Sequence, residues 1–169
     1  MILGARFHGG ALREPGLFRA AGRHIDVVSV NYYHAWQPDQ KLLGEWADAS
    51  GKPVMITEWY AKAADSPLAN TGGAGWLVKN QAARAAFYQT FALGLLESRV
   101  CVGWHWFRYA DNDPAERGAV ASNRDSNKGI VTNRYQSYQE LLDAMKELNC
   151  RTFGIIRHFD GEPQQTRTP

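Results

Sequence analysis

Lys52-Pro-Val-Met-Ile-Thr-Glu-Trp-Tyr60 is an apolar run that ends in a single carboxylate. The segment reads as a buried strand, and carboxylates are rarely taken out of water without a partner or a purpose. A strand that finishes in Glu-Trp-Tyr offers a charged oxygen beside flat apolar surfaces, the parts of a sugar-cleaving site. Glycoside hydrolysis normally needs two such carboxylates, so Glu58 alone is half of a machine.

Working outward, Ile25-Asp-Val-Val-Ser-Val30 is a second strand, β-branched and nearly continuous, as in a parallel sheet covered on both faces. Between the two strands, Leu42, Leu43, Trp46 and Ala47 recur at helical spacing, which predicts a helix over Asp39 to Ala49 stopped by Gly51. Upstream, Ile2 to Phe7 reads as a short strand and Leu17 to Arg23 as a helical turn. Downstream, Ala61 to Val78 reads as a polar, flexible connection centred on Asn70-Thr-Gly-Gly-Ala-Gly75. Ala83, Phe87, Phe91, Gly94 and Leu95 form a stripe that predicts a helix over Lys79 to Ser98. Val100 to Phe107 follows as a fourth strand, Tyr135 to Leu148 as a last helix, Thr152 to Phe159 as a final strand, and the stretch from Gly161 as a disordered tail. Alternating strand and helix is the rhythm of βαβ units, an α/β fold with a parallel sheet whose ligands bind at the carboxyl ends of the strands.

The 169 residues suffice for one domain with a real core, and 44% apolar with 21% charged residues describes a folded chain. A formal charge of +2 without runs of Lys or Arg argues against a nucleic-acid surface or a polybasic membrane patch. No stretch is long and apolar enough for a membrane span, and no signal peptide is visible at the N-terminus. Cys101 and Cys150 lack metal-like spacing and are either bonded or reduced. No Gly-x-Gly-x-x-Gly or phosphate loop follows the first strand, and the Gly72-Gly73-Ala74-Gly75 run lacks the Lys-Ser/Thr of a nucleotide site.

Strand alternation puts Val54, Ile56 and Glu58 on one face, with Met55, Thr57 and Trp59 on the other. Asn31 and Tyr33 share a face at the end of the second strand, and Val102, Trp104 and Trp106 on the fourth. If these faces converge, Glu58 meets an amide, a phenol and an indole, with donors to aim the carboxylate and a ring to receive a pyranose. The bland readings stand beside this one. Glu58 is otherwise a structural carboxylate paired with Arg6 or Arg108, Trp104 and Trp106 are otherwise core, and Asp111 and Asp113 read as a solvated or capping loop rather than a metal site. The histidines show no ligand spacing, so no metal is expected. His34 and His105, beside strand ends, are either sugar contacts or histidines that sit in the core or behind the residues that touch the sugar.

Val-Met-Ile-Thr-Glu-Trp-Tyr-Ala-Lys, Asn-Thr-Gly-Gly-Ala-Gly-Trp, Cys-Val-Gly-Trp-His-Trp-Phe-Arg-Tyr-Ala-Asp-Asn-Asp-Pro and Ser-Asn-Lys-Gly-Ile-Val131 together resemble the C-terminal part of a β-agarase-type glycoside hydrolase, of the retaining (β/α)8 clan. The resemblance runs from about Leu3 to Asp160. It implies the C-terminal half (strands five to eight) of a TIM barrel over residues 1–160, with 161–169 as the disordered tail. It implies Glu58 as nucleophile at the end of strand seven, and Asn31, Tyr33 and Trp106 or Trp104 as substrate contacts; the residues beside the strand ends add His34 and Trp59 to that set. Agarose, cleaved at its β-1,4 bond with no cofactor, is the implied substrate; the alternatives are another β-galactoside or β-glucan, or a non-catalytic sugar-binding remnant. The family's acid/base is a Glu after Asn on strand four, and no Asn-Glu pair occurs here, so the partner carboxylate is expected upstream, outside a truncated chain. A full barrel takes about 250 residues. Open sheet edges imply self-association, and the family implies secretion or a bacterial periplasm.

Overall fold

A computed structural model describes residues 1–118 and 124–162. Four parallel strands, Arg6–Phe7 (β1), Val28–Asn31 (β2), Val54–Glu58 (β3) and Cys101–Trp104 (β6), form one sheet in that spatial order. The order follows the chain without reversal, so the sheet is singly wound and has none of the switch points of a doubly wound fold. Two further strands, Ala61–Ala63 (β4) and Trp76–Val78 (β5), pair in parallel as a separate ribbon just beyond β3. The connection expected to be flexible is therefore ordered. Two three-residue strands distant in sequence leave no periodic signal, and the glycines between them masked the pairing.

Helices Pro15–Ala21 (α1), Gln40–Ser50 (α2), Gln81–Glu97 (α3) and Gln139–Phe159 (α4) supply the second layer, α1 against α2 and α3 against α4. Helix α2 begins and ends where its local chemistry dictates. The Asp39 carboxylate accepts from the Leu42 amide at 3.1 Å, and Gly51 closes the helix at φ 64°. Helix α3 is capped in the same way by Asn80 on the Ala83 amide at 2.9 Å.

Two expected strands change. At the N-terminus only Arg6 and Phe7 pair, because Gly4 at φ 65° breaks the extended run. Thr152 to Phe159 is not a strand but the second half of α4. Thr152, Ile155 and Ile156 are β-branched, but the buried stripe Leu141, Met145 and Leu148 continues at helical spacing to Ile155. Burial against α3 overrides propensity there.

The core lies between sheet and helices: Val28, Val30, Val54 and Ile56 are fully buried against Leu43, Trp46, Phe91 and Leu95. Cys101 and Cys150 are free thiols. No described helix is long and apolar enough to cross a membrane. The expected tail from residue 163 onward lies outside the described residues.

Candidate active site

The carboxyl end of β3 carries an irregularity that sets the direction of Glu58. Ser29 pairs with Met55 and Val30 with Ile56, but the next residue of β2, Asn31, pairs with Glu58 rather than Thr57. One extra residue on β3 is a bulge, a device that re-aims a side chain. Strict alternation would have left Glu58 in the same dry, helix-facing layer as Val54 and Ile56. The bulge brings it to the opposite face, where its side chain is 15% exposed.

Two donors from two strands fix the carboxylate. The Tyr33 hydroxyl donates to Oε2 at 2.8 Å, and the Arg6 guanidinium donates to Oε1 at 2.5 Å. Arg6 lies opposite Phe7 on β1; Phe7 packs on Phe18 of α1, so Arg6 emerges on the open face, 56% exposed. Burial, and then the bond to Glu58, push the Tyr33 hydroxyl well above the usual phenol range, so it is a donor at any working pH. The Arg6 pairing is one of the two bland readings of Glu58 and coexists with the Tyr33 bond. Asn31 does not touch Glu58 in the hydrogen-bond network: its side-chain oxygen accepts from Thr57 at 2.9 Å, across the bulge.

An aromatic wall stands beside the carboxylate. Tyr33 packs edge-on to Tyr60 (5.7 Å between ring centres), and Tyr60 packs against Phe107 (6.0 Å). Tyr60 is covered by the glycine run. A methyl group on Gly75 would stand 2.5 Å from the Tyr60 ring, and one on Gly73, already at φ 85°, 2.2 Å from its hydroxyl. Only glycine allows that approach. The run is tied down by Lys62 to the Gly72 carbonyl at 2.8 Å and by Ser126 to the same oxygen at 2.5 Å. Tyr60 was legible only as a flat surface after Glu58, and no local signal marked Phe107; the glycine run that covers Tyr60 read as flexibility.

The tryptophans expected at the ligand face lie elsewhere. Trp59 is 1% exposed and stacks on Phe91 of α3 at 4.3 Å. Trp104 pairs with Ile56, so it shares the helix-facing side, and its indole donates to Tyr88 of α3 at 2.9 Å. Trp106 packs against Trp59 and Tyr88 and donates to the Lys128 carbonyl at 2.8 Å. The register of β6 puts these indoles behind the sheet, which the unaligned alternation of each strand hid. His34, at φ 62°, and His105 are exposed.

Asp111 is a buried hub rather than a solvated loop residue. It accepts from the amides of Lys128 (2.8 Å) and Gly129 (2.7 Å), from the Asn127 side chain (3.1 Å) and from the Tyr138 hydroxyl (2.6 Å). Asp113 caps a local turn through the Ala115 amide at 2.9 Å. Among the described residues no three His, Cys, Asp or Glu side chains converge as metal ligands.

No family model and no curated protein matches this chain. Solved structures do. BpGH50 superposes with a TM-score of 0.84 at 37% identity, over 94% of this chain and 32% of that one. An agarase, AgWH50C, gives 0.79 at 28% identity over 91% and 23%, and an exo-beta-agarase 0.78 at 28% over 91% and 20%. The chain is similar to GH50 agarases over nearly its whole length and spans about a third or less of theirs.

Proposed function

We propose that this chain, similar throughout to one part of the GH50 agarases, is the nucleophile-bearing part of a retaining glycoside hydrolase that cleaves the β-1,4 bonds of agarose. The observation that carries the reading is the Glu58 carboxylate. It stands at the carboxyl end of a central parallel strand, turned to the open face by a bulge and held at both oxygens by Tyr33 and Arg6. Carboxyl ends of parallel strands are where α/β barrels do chemistry. In this reading β1, β2, β3 and β6 are strands five to eight of a (β/α)8 barrel.

Glu58 attacks the anomeric carbon as the glycosidic C–O bond breaks and the acid/base protonates the leaving oxygen; water, deprotonated by the same acid/base, then releases the sugar from the glycosyl-enzyme intermediate. Tyr33 and Arg6 hold the plane of the carboxylate for that attack and receive its charge again when the intermediate breaks down. Phe107, half-buried against the covered Tyr60, and the ring of Tyr33 present apolar surface to the sugar. The acid/base must stand about 5–5.5 Å from Glu58 in a retaining enzyme. Glu45, Glu97, Glu140 and Glu147 are on helices, Glu14 precedes α1, Glu116 lies in a loop and Glu162 follows α4. The partner is thus assigned to residues of the enzyme outside this chain.

The test is in the complete protein. Glu58→Gln should abolish hydrolysis of agarose while oligosaccharide binding persists, and the gene read upstream should continue in frame to an Asn-Glu pair. Normal turnover by the Gln variant would overturn the assignment. Products from agarose compared with those from other galactans and β-glucans separate the agarase reading from the wider clan.

A further inference from the structure

We infer that Trp36 and Trp76 form a second sugar-binding site, a subsite on the rim that holds a neutral stretch of the polysaccharide away from the bond being cleaved. The inference rests on the agarase reading for the class of ligand, and on independent observations for the place. Trp36 follows β2 and Trp76 begins β5, and both indoles are left in water, 52% and 45% exposed. They meet edge to face, 6.5 Å between centres at 67°. Single exposed apolar residues are ordinary, but an adjoining pair of exposed indoles marks a binding surface.

The pair is held in place rather than free to collapse. Trp36 packs its ring against Phe87 of α3 at 5.3 Å, and Trp76 sits in register with Ala61. Two indoles inclined at 67° make a notch in which a pyranose lays its apolar face on one ring and its edge against the other. Such preformed surfaces bind without a large ordering cost. Ala61 lies three residues beyond Glu58, so the reach of the chain keeps the backbone at the start of β5 within about 15 Å of the Glu58 backbone. A polymer seated at Glu58 is long enough to cross both.

Charge selects the occupant. Residues 66–78, which lead into and form β5, contain no Lys, Arg, Asp or Glu, and neither do residues 31–38. A lipid surface or nucleic acid would call for flanking cations. A sulfated galactan would as well. An unsulfated galactan needs none.

The experiment uses this chain in native electrophoresis through gels that contain agarose, or a sulfated galactan in its place. Wild type and Glu58→Gln should be retarded by agarose, and Trp36→Ala and Trp76→Ala each about tenfold less strongly retained. Trp36→Phe, which keeps the contact to Phe87, guards against misfolding of the Ala variant and should retain an intermediate affinity. Wild-type retardation that survives both Ala variants would overturn the site. So would wild-type passage without retardation, or equal retention by the sulfated polymer. Hydrolysis by the complete protein reads the role of Glu58 separately, so the failure of one idea leaves the other standing.

Discussion

Replacing Arg84 by Met should unfold the part of the molecule that joins α3 to the site. The guanidinium is fully buried on α3 and donates to three acceptors: the Ala61 carbonyl at 2.7 Å, the Gly129 carbonyl at 2.7 Å and the Gln81 side chain at 3.1 Å. It also lies between two rings, 5.3 Å from the centre of Trp106 and 5.2 Å from that of Tyr138. Burial costs the cation enough to bring its pKa down to about 10, so the charge is held by this cage at a price in desolvation. Met removes that cost but takes the donor from two buried carbonyls, at roughly 1–3 kcal/mol each. The lost ring contacts add about 1–2 kcal/mol. After the relief of desolvation, a net loss of about 3–4 kcal/mol is expected. Urea titration followed by tryptophan fluorescence should show the midpoint falling by about 2 M for a slope near 2 kcal/mol per M. A variant already unfolded without urea meets the expectation. Lys at the same position keeps the charge but cannot span three acceptors, so it should lose nearly as much. A loss below about 1 kcal/mol in the Met variant would refute the cage, and wild-type stability in Arg84→Lys would show that charge, not the fork, is what matters.

Gly154 lies inside α4, and a methyl group there would meet nothing within 4 Å. Gly154→Ala should therefore raise stability by about 0.5–1 kcal/mol in the same titration, and a loss would contradict a helix at this point. Gly75→Ala should be strongly destabilising, since the methyl would press to 2.5 Å on the Tyr60 ring, and an unchanged melting temperature would show that the glycine run does not bear on it. Burial, and next the nearby Arg108, bring the Lys128 ammonium down to about 8. Its folded value lies below the unfolded one, so between about pH 8 and 10 the unfolded chain binds more protons and stability rises with pH, by at most about 1.4 kcal/mol per unit from this group. Above that window the buried tyrosines, raised in the fold, reverse the slope. Lys128→Met should lose the rise between pH 8 and 10, as read from urea midpoints at several pH values.

Much of the framework is written locally. Asp39 and Gly51 bound α2 by side-chain capping and a left-handed turn, both properties of a few neighbouring residues. The apolar run from Val54 needed no partner to be read as a strand. What escaped reading depends on a second strand. The face of Glu58 was inferred from alternation within β3, but the bulge that decides it is a relation between β3 and β2. Trp59, Trp104 and Trp106 were drawn to the ligand face by their identity, whereas the register of β6 and the packing of α3 take them behind the sheet. Asp111 gives no local sign of burial, because the donors that satisfy it come from residues 127–129 and from Tyr138. Glu58, Tyr33 and Asn31 were legible as a group, though only the Tyr33 side chain bonds the carboxylate and that of Asn31 turns to Thr57.

The two clamps on Glu58 are anchored in very different parts of the sheet. Tyr33 follows β2, which is paired on both sides. Arg6 sits on β1, two residues long and paired on one side only. Edge pairings of that length open and close far more often than the interior of a sheet, so hydrogen exchange at Phe7 should be fast while Val30 stays protected. The two oxygens of one carboxylate thereby acquire different lifetimes. Oε2 keeps its donor for as long as the fold persists, whereas Oε1 is released each time the edge frays.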